Sequence, residues 1–166
     1  KKGSIFFDTD EHPRANTSME TLSKMKPAFL KDGTVTAGNA SGVNDAACAL
    51  ILTTAQKADE LGLKPLARVV STANFGVEPK IMGIGPAYAV PKAIKLAGLT
   101  ADAIDYYEIN EAFAAQFIAV NRVLKLSMDK VNANGSGISL GHPVGCTGAR
   151  IIQATITELK RRNQQY

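Results

Sequence analysis

Hydrophobic and polar positions fall into blocks along this chain, and the blocks differ in period. Residues 1–34 are polar, rich in turn formers and without periodicity; Asp8-Thr-Asp-Glu-His-Pro13 and Lys31-Asp-Gly33 are turn chemistry. This stretch predicts a surface arm or the end of a neighbouring domain. From Val35 the texture changes. A small, glycine-bearing segment, Thr34 to Asp45, leads into the apolar run 46–53, which suits a strand buried on both faces, although period alone does not exclude a helix. A helix is predicted over 55–61, stopped by Gly62 with Pro65 beyond. A second strand is predicted over 67–73 and a helix over 84–96, with Pro86 near its start and Gly98 after its end. Pro91 inside that helix should start it afresh or kink it. A third strand over 104–109 runs into a helix over 111–126, whose Ala114, Phe117, Ile118 and Leu124 recur near helical spacing. Val131 to Asn134 is a short extended piece. A glycine-rich turn follows, then a last helix over 147–161. Strands alternating with helices predict an α/β architecture around a mostly parallel sheet with right-handed crossovers.

Composition narrows the class. The 166 residues are 45% hydrophobic and 20% charged, an ordinary globular balance for about one domain, which excludes a disordered or fibrous chain. The apolar runs are short and broken by Gly, Thr and Asn, so no membrane span is expected. The net charge of +4 is mildly basic and suits a phosphorylated small molecule. Aromatics make up 6% of the chain and no basic stripe appears, which argues against nucleic acid. Cys48 and Cys146 form no disulfide framework and fit no zinc spacing, and no metal is expected.

Candidate chemistry gathers in three loops at predicted strand ends, where ligands bind in open α/β sheets. The first runs from Gly135 to Ala149 and is glycine-dense, so its backbone N–H groups can be aimed at a ligand. His142 lies within it, stiffened by Pro143, and can serve as a general base or as a donor to an oxyanion, or simply pack the loop. The second is Tyr107 to Ala114. There Asn110 either caps the following helix or offers its carboxamide to a water or carbonyl, and Glu111 complements the helix dipole. The third, Gly38 to Asp45, holds Ser41 among small residues, where a ligand can lie against backbone; an ordinary turn is the plainer reading. Gly83-Ile-Gly85-Pro86 is not a dinucleotide fingerprint. Cys48 reads as a core thiol. Cys146 lies near a helix N-terminus, where a thiolate is stabilised.

Taken together, Asn110-Glu-Ala-Phe-Ala-Ala-Gln116, Asn134-Gly-Ser-Gly-Ile-Ser-Leu-Gly-His-Pro143 and Gly145-Cys-Thr-Gly-Ala-Arg150 closely resemble the thiolase family. Thr36-Ala-Gly-Asn-Ala-Ser-Gly42 and Met82-Gly-Ile-Gly-Pro86 resemble thiolase segments in the same order, and the likeness spans residues 13–162. Within the family the pattern is most similar to the acetyl-CoA acetyltransferases. The resemblance implies an acyltransferase that condenses two acetyl-CoA to acetoacetyl-CoA, or the reverse, through an acyl-cysteine. His142 would activate that cysteine and help bind the thioester oxygen. Asn110 would hold a water in the same oxyanion hole. Ser41 would line the pantetheine site, and Met82, Ala112 and Phe113 would wall the acyl group. Coenzyme A and its acetyl and acetoacetyl thioesters are implied as substrates, with no permanently bound cofactor.

The resemblance also implies what this stretch does not supply. Thiolases carry the nucleophilic cysteine in the N-terminal half of the subunit and an acid/base cysteine in a C-x-G-G-G motif after the final helix. Neither Cys48 nor Cys146 stands in those motifs. The implied fold is therefore the C-terminal half of a layered α/β/α subunit, residues 35–166, lacking its last two strands, with residues 1–34 the end of the loop domain. The rest of the subunit is an implied partner, in a cytoplasmic homodimer or homotetramer, and the 166 residues alone are expected to be inactive. Two other readings stand beside this one: a non-catalytic thiolase-fold module for acyl-CoA binding or assembly, and a decarboxylating or hydroxymethylglutaryl-type condensing enzyme.

Overall fold

Local capping chemistry places the helices. In a computed structural model that describes residues 3–166, six α-helices form: α1 (Met19–Ser23), α2 (Ala55–Glu60), α3 (Pro86–Leu96), α4 (Ala114–Leu124), α5 (Gly137–Leu140) and α6 (Val144–Arg162). Lys1 and Lys2, which open the polar stretch read from the sequence, lie outside the described residues. Ser18 and Thr54 cap α1 and α2 by accepting from the N–H groups of Thr21 and Lys57, each at 3.1 Å. Gly62 and Gly98 take left-handed φ values of 61° and 70° just past α2 and α3, the conformation that closes a helix and that glycine adopts without strain. Pro86 opens α3 at its first turn. Pro91 neither restarts nor breaks that helix, which runs through it to Leu96.

α4 begins three residues later than its periodicity suggests. The side chain of Gln116 turns back to accept from the N–H groups of Ala112 and Phe113, at 3.2 and 3.5 Å. Gln116 thus satisfies the two N–H groups just before the helix, the Ala114 N–H donates to the Asn39 carbonyl, and Asn110 is not the cap. The core sits beneath α4. Tyr107, Ile109, Phe117 and Val131 form its buried centre, flanked by Val90 and Ile94 of α3 and by Leu124 and Leu126.

The expected strands behave differently. Residues 46–53 and 67–73 form no helix and make no ladder, and they are mostly exposed rather than buried: Ile51 is 93% and Val69 67% accessible. Cys48 is half-buried and its thiol donates to Gln153 Oε1 at 3.4 Å, so it is not a core thiol. An extended segment becomes a strand only where another backbone takes its N–H and C=O groups, and no described segment does this for either run. The 104–109 stretch is paired at one position, a parallel bridge between Tyr107 and Val131. An antiparallel bridge joins Ala40 to Phe113. No helix among the described residues is long and apolar enough to cross a membrane.

Candidate active site

Two polar side chains hold the end of the 104–109 segment in place. Asn132 accepts from the N–H of Ile109 at 2.7 Å and donates to the Ile109 carbonyl at 2.8 Å and to Glu111 Oε1 at 2.9 Å. It does so from a left-handed backbone, φ 46°, which asparagine tolerates better than most residues. Ser136 is fully buried. Its hydroxyl donates to the same Ile109 carbonyl at 3.0 Å and accepts from the N–H of Glu111 at 3.3 Å. Asn110, between these anchored residues, has its backbone immobilised and its carboxamide displayed. The glycine loop packs directly against it: a Cβ on Gly137 would stand 2.8 Å from Asn110 Oδ1 and 2.7 Å from the Glu111 carbonyl. Only glycine fits there.

His142 arrives from the other end of the loop. Gly141 takes φ 96°, and the His142 N–H donates to Asn44 Oδ1 at 3.1 Å. Its ring Nδ1 lies 2.8 Å from Thr147 Oγ1, and the Thr147 hydroxyl donates to the Pro143 carbonyl at 3.1 Å. A hydroxyl has one proton to give. With that proton on Pro143, Thr147 can only accept from the ring, which fixes the proton on Nδ1 and leaves the lone pair on Nε2. Asn110 Nδ2 approaches this nitrogen at 3.4 Å. Asn110 Oδ1 is buried without a hydrogen-bond partner among the described residues. The pair therefore presents a proton-accepting nitrogen beside an amide with spare hydrogen-bonding capacity, which is the chemistry of a general base next to an oxyanion or water site.

The other candidate residues are placed unevenly. Ser41 joins the same neighbourhood: its N–H donates to the Ala112 carbonyl at 2.9 Å, and the Ala114 N–H donates to the Asn39 carbonyl at 2.9 Å, so Ser41, Ala112 and Phe113 lie side by side. Met82 is 71% exposed at the end of a short 3₁₀ turn, Pro79–Ile84, and the structure does not bury it against the Asn110–His142 pair. That turn reaches the site indirectly, since Gly83 lies against Gln116, the residue that holds Ala112 and Phe113. Neither cysteine is hydrogen-bonded to His142, whose ring partners among the described residues are Thr147 and Asn110. No cluster of three or more His, Cys, Asp or Glu side chains among those residues is placed to hold a metal.

Sequence reasoning did not pick out Asn44, Thr147, Asn132 or Ser136. Thr147 was legible in principle, lying one helical turn beyond Pro143. Asn44 was not, because nothing in spacing links it to a residue 98 positions away. Behind the glycine loop, Glu158 of α6 is buried and receives Arg161, Arg162 and Asn134; these hydrogen bonds, Arg161's foremost, hold its carboxyl well below the usual range. Glu108 is pushed up by burial, against the pull of the Tyr106 hydroxyl that donates to it at 2.5 Å and of Arg150 at 3.8 Å. These contacts tie α6 and the loop to the segment that carries Asn110.

The chain has known relatives. The thiolase C-terminal domain model matches residues 63–166 and the thiolase N-terminal domain model residues 1–56. The chain is 56% identical over 167 residues to the acetyl-CoA acetyltransferase of Syntrophomonas wolfei, covering 99% of this chain and 42% of that one. It is 52% identical to the human peroxisomal 3-ketoacyl-CoA thiolase, over 99% of this chain and 39% of the relative. Among solved structures, the Bacillus anthracis acetyl-CoA acetyltransferase superposes with a TM-score of 0.91 at 54% identity, covering 99% of this chain and 42% of that one. Human mitochondrial 3-ketoacyl-CoA thiolase in complex with CoA gives 0.86 at 45% identity, over 95% of this chain and 40% of the other. The chain thus spans about two fifths of the length of the curated relatives it matches. Its fold is a thiolase-like α/β fold, and the chain belongs to the thiolase family.

Proposed function

We propose that this chain is the oxyanion-hole part of an acetyl-CoA acetyltransferase, which condenses two acetyl-CoA or cleaves acetoacetyl-CoA with CoA. The observation that carries the reading is the Asn110–His142 pair, with its ring tautomer held by Thr147 and an unpartnered buried Asn110 Oδ1. In the reaction, the lone pair on His142 Nε2 takes the proton of a cysteine thiol contributed from outside these residues. The thiolate adds to the thioester carbonyl, the carbon–sulfur bond to CoA breaks, and the CoA thiolate leaves as the acyl-cysteine forms. While the tetrahedral adduct exists, the proton held on Nε2 donates toward its oxygen charge, and Asn110 holds a water on the same oxygen. Ser41 lines the pantetheine site, and Met82, Ala112 and Phe113 wall the acyl group. CoA thioesters are substrates of this site. The exposed 46–53 and 67–73 segments are the faces on which the rest of the subunit packs to complete a mixed sheet, in a dimer or tetramer. The alternative of a non-catalytic module leaves the tautomer-fixed histidine without a purpose.

The test grafts these 166 residues in place of the matching part of the Syntrophomonas wolfei enzyme. The graft is expected to cleave acetoacetyl-CoA, and His142→Ala or Asn110→Ala in it to lower kcat by about 10²–10³. The 166 residues alone are expected to show no turnover. A graft whose His142→Ala variant is as active as its parent would remove the histidine from the chemistry.

A further inference from the structure

We infer that His12 and Asn44 are a pair of positioning residues that hold His142 for catalysis, His12 acting through Asn44. The inference rests on the preceding reading only in making His142 the catalytic base. His12 comes from the polar N-terminal stretch and is half-buried against the glycine loop, where its Nε2 lies 2.9 Å from the Ile138 carbonyl. A carbonyl only accepts, so this nitrogen carries the ring proton and neutral His12 offers a lone pair at Nδ1. Asn44 Nδ2 faces that lone pair at 3.5 Å. With its NH₂ turned toward His12, the Asn44 amide must turn its oxygen the other way, and that oxygen accepts the His142 N–H at 3.1 Å. The amide is thus oriented from both ends.

Packing shows the same design. A Cβ on Gly42 would stand 2.7 Å from both Asn44 Oδ1 and His12 Cε1. A Cβ on Gly141 would stand 2.6 Å from Asn44 Oδ1, at a φ of 96° that already demands glycine. Two glycines from loops far apart in sequence thus let the Asn44 side chain pack closely between them. Ring and backbone of His142 are then held by separate partners, Thr147 at Nδ1 and Asn44 at the N–H. A ring that must present Nε2 to a thiol needs both, because small displacements of a catalytic group cost large factors in rate.

The test uses the two histidines themselves. Labelled on histidine alone, the full chain gives one backbone amide signal for His12 and one for His142. Asn44→Ala is expected to speed hydrogen exchange at the His142 amide about tenfold, the loss of one local hydrogen bond. Asn44→Asp, which keeps the acceptor, should hold the rate within about threefold of the parent. His12→Ala should speed exchange less than Asn44→Ala, and the double variant should match Asn44→Ala alone, since His12 acts only through Asn44. Unchanged exchange at His142 in both single variants, or effects that add in full, would overturn the inference. If Asn44→Ala fails to fold, Asn44→Asp and His12→Ala carry the same comparison. In the grafted enzyme, Asn44→Ala should lower kcat about tenfold with KM within about twofold, and Asn44→Asp should restore it. A rise in KM matching the fall in kcat overturns the positioning role. If instead His142→Ala leaves the graft fully active, the catalytic reading falls, and the exchange result still judges the relay.

Discussion

Two stretches of this chain carry similar shares of apolar residues and end in opposite states. From residue 101 to 166 the backbone is anchored by side chains: Asn132 and Ser136 clasp Ile109, Glu158 gathers Arg161, Arg162 and Asn134, and Asp105 Oδ2 accepts from the N–H groups of Gln165 and Tyr166. From residue 43 to 78 only α2 is regular, and Val43, Ile51, Leu52 and Val69 lie in solvent. The difference is one of partners. Polar side chains at short range stabilise the first stretch. The second needs another backbone, and the described residues do not offer one. The Asn110–His142 pair lies in the first stretch, and the second reaches it through Asn44, whose Oδ1 accepts the His142 N–H.

The sharpest way to break this comparison is to truncate one apolar side chain in each. Phe117 is buried at the centre of the core, and Phe117→Ala is expected to destabilise the chain by about 3–5 kcal/mol. Ile51→Ala is expected to change stability by less than about 0.5 kcal/mol, because the side chain is already in water. Urea unfolding of the two variants decides it. Equal losses would mean that the 46–53 segment is packed after all.

What the sequence disclosed follows the same division. Helices were legible because their signals are local: Gly62, Pro86 and Gly98 mark a start and two stops within a turn of the observed ends. Asn110 and His142 stood out through the thiolase resemblance; read alone, Asn110 passes for a helix cap and His142 for a residue that packs its loop. The start of α4 was misread, since Asn110 resembles a cap and only the reach of Gln116 makes a cap unnecessary. The strands expected over 46–53 and 67–73 are unpaired among the described residues for a deeper reason. An apolar, β-prone run states what a segment can become, and pairing is a property of two segments. Asn44 stayed hidden because its partners lie 32 and 98 residues away.

Glycines sharpen the comparison within a single loop. Gly137→Ala drives a methyl into Asn110 Oδ1 and the Glu111 carbonyl, and an expected loss of about 1–3 kcal/mol follows from the overpacking. A methyl on Gly148, in α6, would meet nothing within 4 Å, and the backbone there is ordinary helix. Gly148→Ala is expected to stabilise the chain by about 0.5–1 kcal/mol through helix propensity. Thermal unfolding of both variants tests whether the tightness belongs to the Asn110 contact or to the loop at large.

The smallest expected effect concerns Tyr106, the buried phenol that joins the anchored segment to the glycine loop. Its hydroxyl donates to Glu108 Oε2 and accepts from the Ala133 N–H at 3.0 Å. Burial first, and the Glu108 carboxylate second, push its pKa up to about 12 from 10.0. A group whose folded pKa is raised binds its proton more tightly in the folded state. Its contribution is complete below about pH 10 and is lost as the pH climbs toward about 12. Tyr107, raised by burial in the same direction, adds to the loss. Tyr106→Phe should therefore cost about 1 kcal/mol at neutral pH, the worth of the hydrogen bonds, and flatten the alkaline fall in stability. Tyr88 of α3 is the control: it stacks on Phe75 of the other stretch at 4.9 Å, and its hydroxyl has no hydrogen-bond partner among the described residues. Tyr88→Phe should change neutral stability by less than about 0.5 kcal/mol. An alkaline profile as steep in Tyr106→Phe as in the parent would mean that groups other than Tyr106 carry the alkaline loss of stability.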